Sequence, residues 1–151
     1  MPDIAEHVGA VCRTLMTSLK TYIVEDSPVI RENLVAALEE MTPVTVVGTA
    51  EDEDSARRWL SDPGNECDLV IVDIFLRRGS GLGVLQWLGE APRRCQRVVL
   101  SNFATPDMRR KCLDLGADQV FDKSNEIDAL IGYCLRLGSG TDSATGALAQ
   151  S

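Results

Sequence analysis

Leu69-Val70-Ile71-Val72-Asp73 is the stretch that decides how this chain folds. Four apolar residues follow one another, three of them β-branched, with no polar member to turn toward water. Strict alternation would mark a strand with one wet face. An unbroken apolar run of this length marks a strand covered on both faces, as in a parallel sheet flanked by helices. The run closes on a carboxylate, which a buried strand tolerates where it emerges at a rim of the sheet.

Toward the N-terminus, Lys20 to Glu25 reads as another such strand, ending in the acids Glu25 and Asp26. Ser27-Pro28 then opens a helix, with serine as N-cap and proline at the first helical position. Ile30, Leu34, Leu38 and Met41 recur every three or four residues as its expected core stripe, and Pro43 closes it. Val44 to Thr49 is a further strand. A helix capped near Asp52 follows through Ala56, Trp59 and Leu60 and stops at Pro63-Gly64. Toward the C-terminus, Gly79, Gly81 and Gly83 mark a loop before a helix carrying Val84, Leu85 and Leu88. Arg97 to Ser101 is the fourth strand, Thr105-Pro106 starts a helix that Gly116 ends, and Gln119 to Asp122 is the fifth strand. A last helix, from about Ser124, carries Ile127, Leu130, Ile131, Cys134 and Leu135. Five strand–helix units predict an α/β fold with a doubly wound, five-stranded parallel sheet and right-handed crossovers. Such sheets bind ligands at the carboxyl ends of their strands.

The chain has 151 residues, room for one ordinary domain, expected over residues 19–137. Residues 1–18 carry a weak helical pattern, and residues 138–151 are small and polar, as in a disordered tail. A net charge of −8 argues against a nucleic-acid surface. The arginine pairs at 57–58, 77–78, 93–94 and 109–110 sit among acids and are expected to be solvated faces. The five cysteines are widely spaced without a C-x-x-C pair, which fits buried, reduced thiols rather than disulfides or a zinc site. No secretory signal and no apolar run of membrane-spanning length is present, so a cytoplasmic protein is expected.

Glu25 and Asp26 end the first strand, Asp73 the third and Ser101 the fourth, and Lys123 follows the fifth, all at the rim where the fold rule places a site. Converging carboxylates repel and raise one another's pKa unless a cation lies among them. Mg²⁺ suits this set, because it prefers oxygen ligands and combines one or two carboxylates with phosphate oxygens. The chemistry these residues fit is phosphoryl transfer to Asp73, with Lys123 neutralising phosphoryl oxygens and Ser101 hydrogen-bonding one of them. The sole histidine, His7, lies outside the strand–helix pattern and makes zinc a poor fit.

Ile23-Val24-Glu25-Asp26-Ser27, Val70-Ile71-Val72-Asp73, Val99-Leu100-Ser101-Asn102, and Gly116-Ala117-Asp118 leading to Lys123-Ser124 resemble the receiver domain of two-component response regulators, over about residues 19–137. The resemblance implies a flavodoxin-like (βα)5 fold with strand order 2-1-3-4-5. It implies Asp73 as phosphoacceptor, Asp26 as direct Mg²⁺ ligand, Glu25 as a ligand mainly through water, and the backbone carbonyl of Phe75 as a further metal contact. Ser101 would be the switch hydroxyl and Lys123 the phosphate-binding lysine. The implied donor is a histidine kinase or histidine phosphotransfer protein. Output would pass by protein contact, near the fourth helix, fifth strand and fifth helix, to an unnamed target, without nucleic acid or membrane. The implied type is stand-alone, with no DNA-binding output domain.

Four departures bear on the switch rather than on the acids. Val120 stands where the family often has an aromatic rotor, with Phe121 beside it. Arg77 replaces a frequent proline, Asn102 a small residue, and Ser124 a common proline. Phe75 and Phe103, two residues beyond Asp73 and Ser101, read first as ordinary loop packing; the sharper alternative is that their rings hinder the water that hydrolyses the acyl phosphate. Among rivals, a dehalogenase-type phosphatase wants an acid where Phe75 stands. A flavin or nucleotide binder wants a phosphate cradle where Glu25-Asp26 stands. A receiver-like interaction module that signals without phosphorylation is the remaining alternative.

Overall fold

The computed structural model describes residues 18–91, 94–102 and 104–138. The weak helical pattern of residues 1–18, the polar tail and Phe103 therefore lie outside the described residues, apart from Ser18 and Gly138 at the margins. Five strands, β1 (Leu19–Val24), β2 (Val44–Ala50), β3 (Leu69–Val72), β4 (Gln96–Ser101) and β5 (Gln119–Asp122), form one sheet in the order β2-β1-β3-β4-β5. All four pairings are parallel. The helices are α1 (Pro28–Met41), α2 (Glu53–Ser61), α3 (Gly81–Glu90), α4 (Pro106–Asp114) and α5 (Ile127–Gly138). Architecture and strand order agree with the sequence reading.

The helix starts follow the expected chemistry. Side chains of Ser27, Asp52 and Thr105 accept backbone N–H bonds from Ile30, Ser55 and Met108, satisfying donors that a first turn leaves free. Ser80 caps α3 in the same way, through Leu82 N–H at 3.0 Å. Gly116 takes φ +105° after α4, a conformation that a side chain disfavours. The last helix begins at Ile127 rather than near Ser124, because Ser124 is held in a turn by the Asp122 carboxylate.

Every residue of β3 is buried, since helices cover both sides of the sheet. On one side Ile23, Ile71, Leu100 and Phe121 pack with Leu34 and Leu38 of α1 and Leu130 and Tyr133 of α5. On the other, Val24, Val70 and Val72 pack with Ala56 and Leu60 of α2 and Val84 and Leu88 of α3, while Val99 and Val120 meet Cys112 of α4. Burying a side chain such as Leu38 or Leu130 contributes about 2 kcal/mol. The expected core stripes need trimming. Met41 is 56% exposed, and Ile30 and Leu135 are also exposed, because each sits at an edge of its helix's apolar face where the sheet falls away. Cys67, Cys112 and Cys134 are buried thiols and Cys95 is half-buried. Burial pushes the Cys134 thiol up to about 12.

Candidate functional site

Parallel pairing delivers the ends of neighbouring strands to one rim. Val24 pairs with Val72, so the residues following each, Glu25 and Asp73, emerge side by side. Their backbones are tied in turn, Asp73 N–H to the Val24 carbonyl and Glu25 N–H to that of Ala50, both at 2.9 Å. On the other flank Ser101 pairs with Asp122, and the Lys123 N–H reaches the Ser101 carbonyl at 3.0 Å. Glu25, Asp26 and Asp73 follow their strands rather than forming the last paired residues. A side chain past the last ladder bond is free of the strict up–down alternation and can turn into the rim.

The result is a compact charge cluster. One carboxylate oxygen each from Glu25, Asp26 and Asp73 lies within 4.8 Å of the others. Lys123 Nζ donates to Glu25 Oε1 at 2.5 Å and to Asp73 Oδ2 at 2.8 Å. Glu25 and Asp73 are buried, at 2% and 7% exposure, and Asp26 is half-buried. Burial raises the Glu25 pKa, against the opposing pull of Lys123 and the Ser27 N–H. Burial alone would lower the Lys123 pKa, but its two carboxylate hydrogen bonds prevail and the net shift is upward. Ser101 is fully buried at the end of β4. The Phe75 N–H donates to Asp73 Oδ1 at 3.2 Å, while its side chain is half exposed beside the site.

The loop after Asp73 is held by contacts that the sequence reading missed. Gly81 N–H bonds the Ile74 carbonyl, and a Cβ on Gly81 would collide with the Asp73 carbonyl, so α3 can start this close only from glycine. Glu53, in the first turn of α2, accepts the Ser80 N–H at 3.0 Å. Arg31 of α1 donates to the Glu25 carbonyl at 2.8 Å. No sequence signal distinguishes these two side chains from ordinary helix-surface charges. A cleft of about 250 Å³ lined by Asp26, Glu51, Asp52, Arg77 and Arg78 opens beside the acids.

Residues 21–134 match the family model of the response regulator receiver domain. The chain belongs to that family. It is 30% identical over 128 residues to a probable transcriptional regulatory protein of Picosynechococcus, covering 82% of this chain and 50% of that one. It is 26% identical over 125 residues to a gliding motility regulatory protein of Myxococcus xanthus, covering 78% and 16%. The chain thus spans half or less of the length of these curated relatives. Among solved structures, the signal receiver domain of a NarL response regulator from Mycobacterium tuberculosis superposes with TM-score 0.72 at 21% identity, covering 82% of this chain and 98% of that one. The response regulatory domain of protein mrkE from Klebsiella pneumoniae gives 0.71 at 18% identity, covering 83% and 99%. At such identity these likenesses speak for the fold.

Receiver domains bind Mg²⁺ at an acidic pocket, and the residues of this receiver fit that ion. Three oxygen donors converge on one point, and a single ammonium leaves the cluster with surplus negative charge that a hard divalent cation would neutralise. The aromatic-rotor position is different. Val120 is buried on the α4 side of the sheet, and Phe121 is buried on the opposite side against Tyr133, ring centroids 6.0 Å apart. A one-residue offset along a strand reverses the side-chain direction. Phe121 therefore does not substitute for an aromatic at position 120. No described helix is long and apolar enough to cross a membrane.

Proposed function

We propose that this receiver, as a unit of residues 19–137 acting in the cytoplasm, accepts a phosphoryl group on Asp73 from a phosphohistidine donor. The donor would be a histidine kinase or histidine phosphotransfer protein. The observation that carries the reading is the bridging of Glu25 and Asp73 by one buried ammonium, Lys123, with Asp26 completing a triad of carboxylates.

In the transfer, an Asp73 carboxylate oxygen attacks phosphorus as the bond from phosphorus to the donor imidazole nitrogen breaks, the ring's other nitrogen being protonated, which leaves an acyl phosphate and a neutral imidazole. Asp26, Glu25, Asp73 and the Phe75 carbonyl would hold Mg²⁺, which would supply positive charge to the phosphoryl oxygens. Lys123 then exchanges its Asp73 carboxylate contact for a phosphoryl oxygen, and Ser101 hydrogen-bonds another. The protein is a phosphoacceptor, assisting its own phosphorylation and dephosphorylation rather than turning over a separate substrate. Phosphorylation shifts populations through contacts that differ between two states, and the output is protein contact near α4, β5 and α5. The acidic charge of −8 disfavours direct nucleic-acid contact by this chain.

Incubation with acetyl phosphate, followed by intact mass, tests the reading. Wild type should gain one phosphoryl group with Mg²⁺ and none with chelator, and Asp73→Asn should gain none. No gain in wild type would defeat the proposal and favour a receiver that signals without phosphorylation.

A further inference from the structure

One arginine expected on a solvated face is built into the switch region instead. Arg109 of α4 is half-buried and spends its guanidinium on three partners from three different segments. Nε donates to the Ala104 carbonyl at 3.0 Å, in the β4–α4 loop. Nη1 donates to the Val120 carbonyl at 2.8 Å, in β5. Nη2 donates to Glu126 Oε1 at 2.7 Å, just before α5. The same Glu126 oxygen also accepts the Asp122 N–H at 2.7 Å, and the Glu126 N–H returns to the Asp122 carbonyl at 2.9 Å. Lys123 is thus the residue immediately after the one that Glu126 grips, and its own N–H is fastened to Ser101.

A planar guanidinium with several donors in one fork can fix several acceptors at once, which a lysine cannot do. Here that fork ties the segment after Ser101 to the segment that carries Lys123. We propose that Arg109 and Glu126 are positioning residues that join these two segments into one mechanical unit. Any displacement of Lys123 toward a phosphoryl group on Asp73 is thereby handed to α4. The inference rests on Asp73 as phosphoacceptor, and it names the route by which that site reaches the α4–β5–α5 face. Such a route is needed because Val120 offers no ring to swing and Phe121 points to the other side of the sheet. The pair is 35% exposed on both side chains, so its role is geometric and lies in the acceptors it gathers, rather than in deep charge burial.

The test compares wild type, Arg109→Gln, Arg109→Lys and Glu126→Gln, each with Mg²⁺ and either acetyl phosphate or beryllofluoride. Intact mass reports phosphorylation, and peptide-level amide hydrogen exchange reports residues 104–114 and 119–127 separately. In wild type, loading should change exchange in both segments. In Arg109→Gln, Asp73 should still be phosphorylated and residues 119–127 should still respond. The response of residues 104–114 should fall about tenfold, the scale of coupling lost when a shared hydrogen-bonded charge network is cut. Arg109→Lys should recover part of that response, and Glu126→Gln should weaken it without abolishing the Asp122 contact. An Arg109→Gln protein that is phosphorylated and responds in α4 as wild type does would overturn the coupling. A wild type that takes no phosphoryl group but responds to beryllofluoride would overturn phosphoryl transfer and leave the coupling standing. If Arg109→Gln melts before assay, an α4 response in Glu126→Gln equal to wild type overturns the coupling alone.

Discussion

Replacing Lys123 by Met keeps an unbranched side chain, one atom shorter, and deletes its charge, leaving Glu25, Asp26 and Asp73 within 4.8 Å of one another with no ammonium among them. At that separation and an effective dielectric of about 20, each pair of charged carboxylates repels by about 3 kcal/mol. The folded protein escapes the full repulsion by keeping a proton on one of them. For Glu25, whose ordinary value is 4.5 and which burial already raises, holding that proton at pH 7 costs about 1.4 kcal/mol for each pH unit above 4.5, or about 3 kcal/mol. The side chains of Lys123, Glu25 and Asp73 are at most 9% exposed, so solvent screening takes little off this figure. Lys123→Met should therefore lose about 3 kcal/mol in metal-free buffer at pH 7, close to what a broken buried ion pair costs.

The sign with pH follows from the proton count. The folded variant binds a proton that the unfolded chain does not, so its stability rises as pH falls toward 4.5. Mg²⁺ at a hundredfold excess over its Kd should restore about 2.7 kcal/mol by binding the folded state alone. Urea unfolding of wild type and variant at pH 7 and pH 5, with chelator and with Mg²⁺, reads all three effects. A loss below about 1 kcal/mol at pH 7, or a loss that grows on acidification, would refute the electrostatic account of the site.

Three further outcomes are expected. Phe75→Asn, which swaps a half-exposed aromatic side chain beside Asp73 for a group that can orient water, should speed loss of the phosphoryl group by roughly tenfold in a decay assay by intact mass; equal or slower loss would sink the shielding idea. Gly81→Ala drives a methyl into the Asp73 backbone carbonyl and should cost about 2 kcal/mol or more in urea unfolding, together with slower phosphorylation. Asp52 holds the Ser55 N–H, which keeps its carboxyl below the ordinary 3.8. Its contribution is present above pH 3.8 and fades as pH falls through the lower folded value, so Asp52→Asn should flatten that part of the acid limb of a stability–pH curve.

What was readable in the chain, and what was not, divides along the range of the interactions involved. The β-branched run Leu69 to Val72 signals a strand buried on both faces, and Ser27-Pro28 and Thr105-Pro106 start helices by chemistry contained in a few residues. Because parallel strands end at one rim, strand-terminal positions also anticipated that Glu25, Asp26, Asp73 and Lys123 gather there. The edges of the helix stripes were not readable: periodicity places Met41 and Leu135 near the apolar face but does not say where the sheet stops.

The fold alone decided which ordinary charged residues became structural. Arg109 looks in sequence like one of several exposed arginines, and Glu53 and Arg31 look like helix-surface charges. Only the crossing of α4 over β5 brings the Val120 carbonyl to Arg109, and only the placing of the α2 start over the loop after Asp73 brings the Ser80 N–H to Glu53, while Arg31 reaches back six residues to the Glu25 carbonyl. Local sequence carries hydrophobic period and capping because those act across a few residues. Contacts between residues brought together by the path of the whole chain have no such local record, and tertiary packing had to supply them.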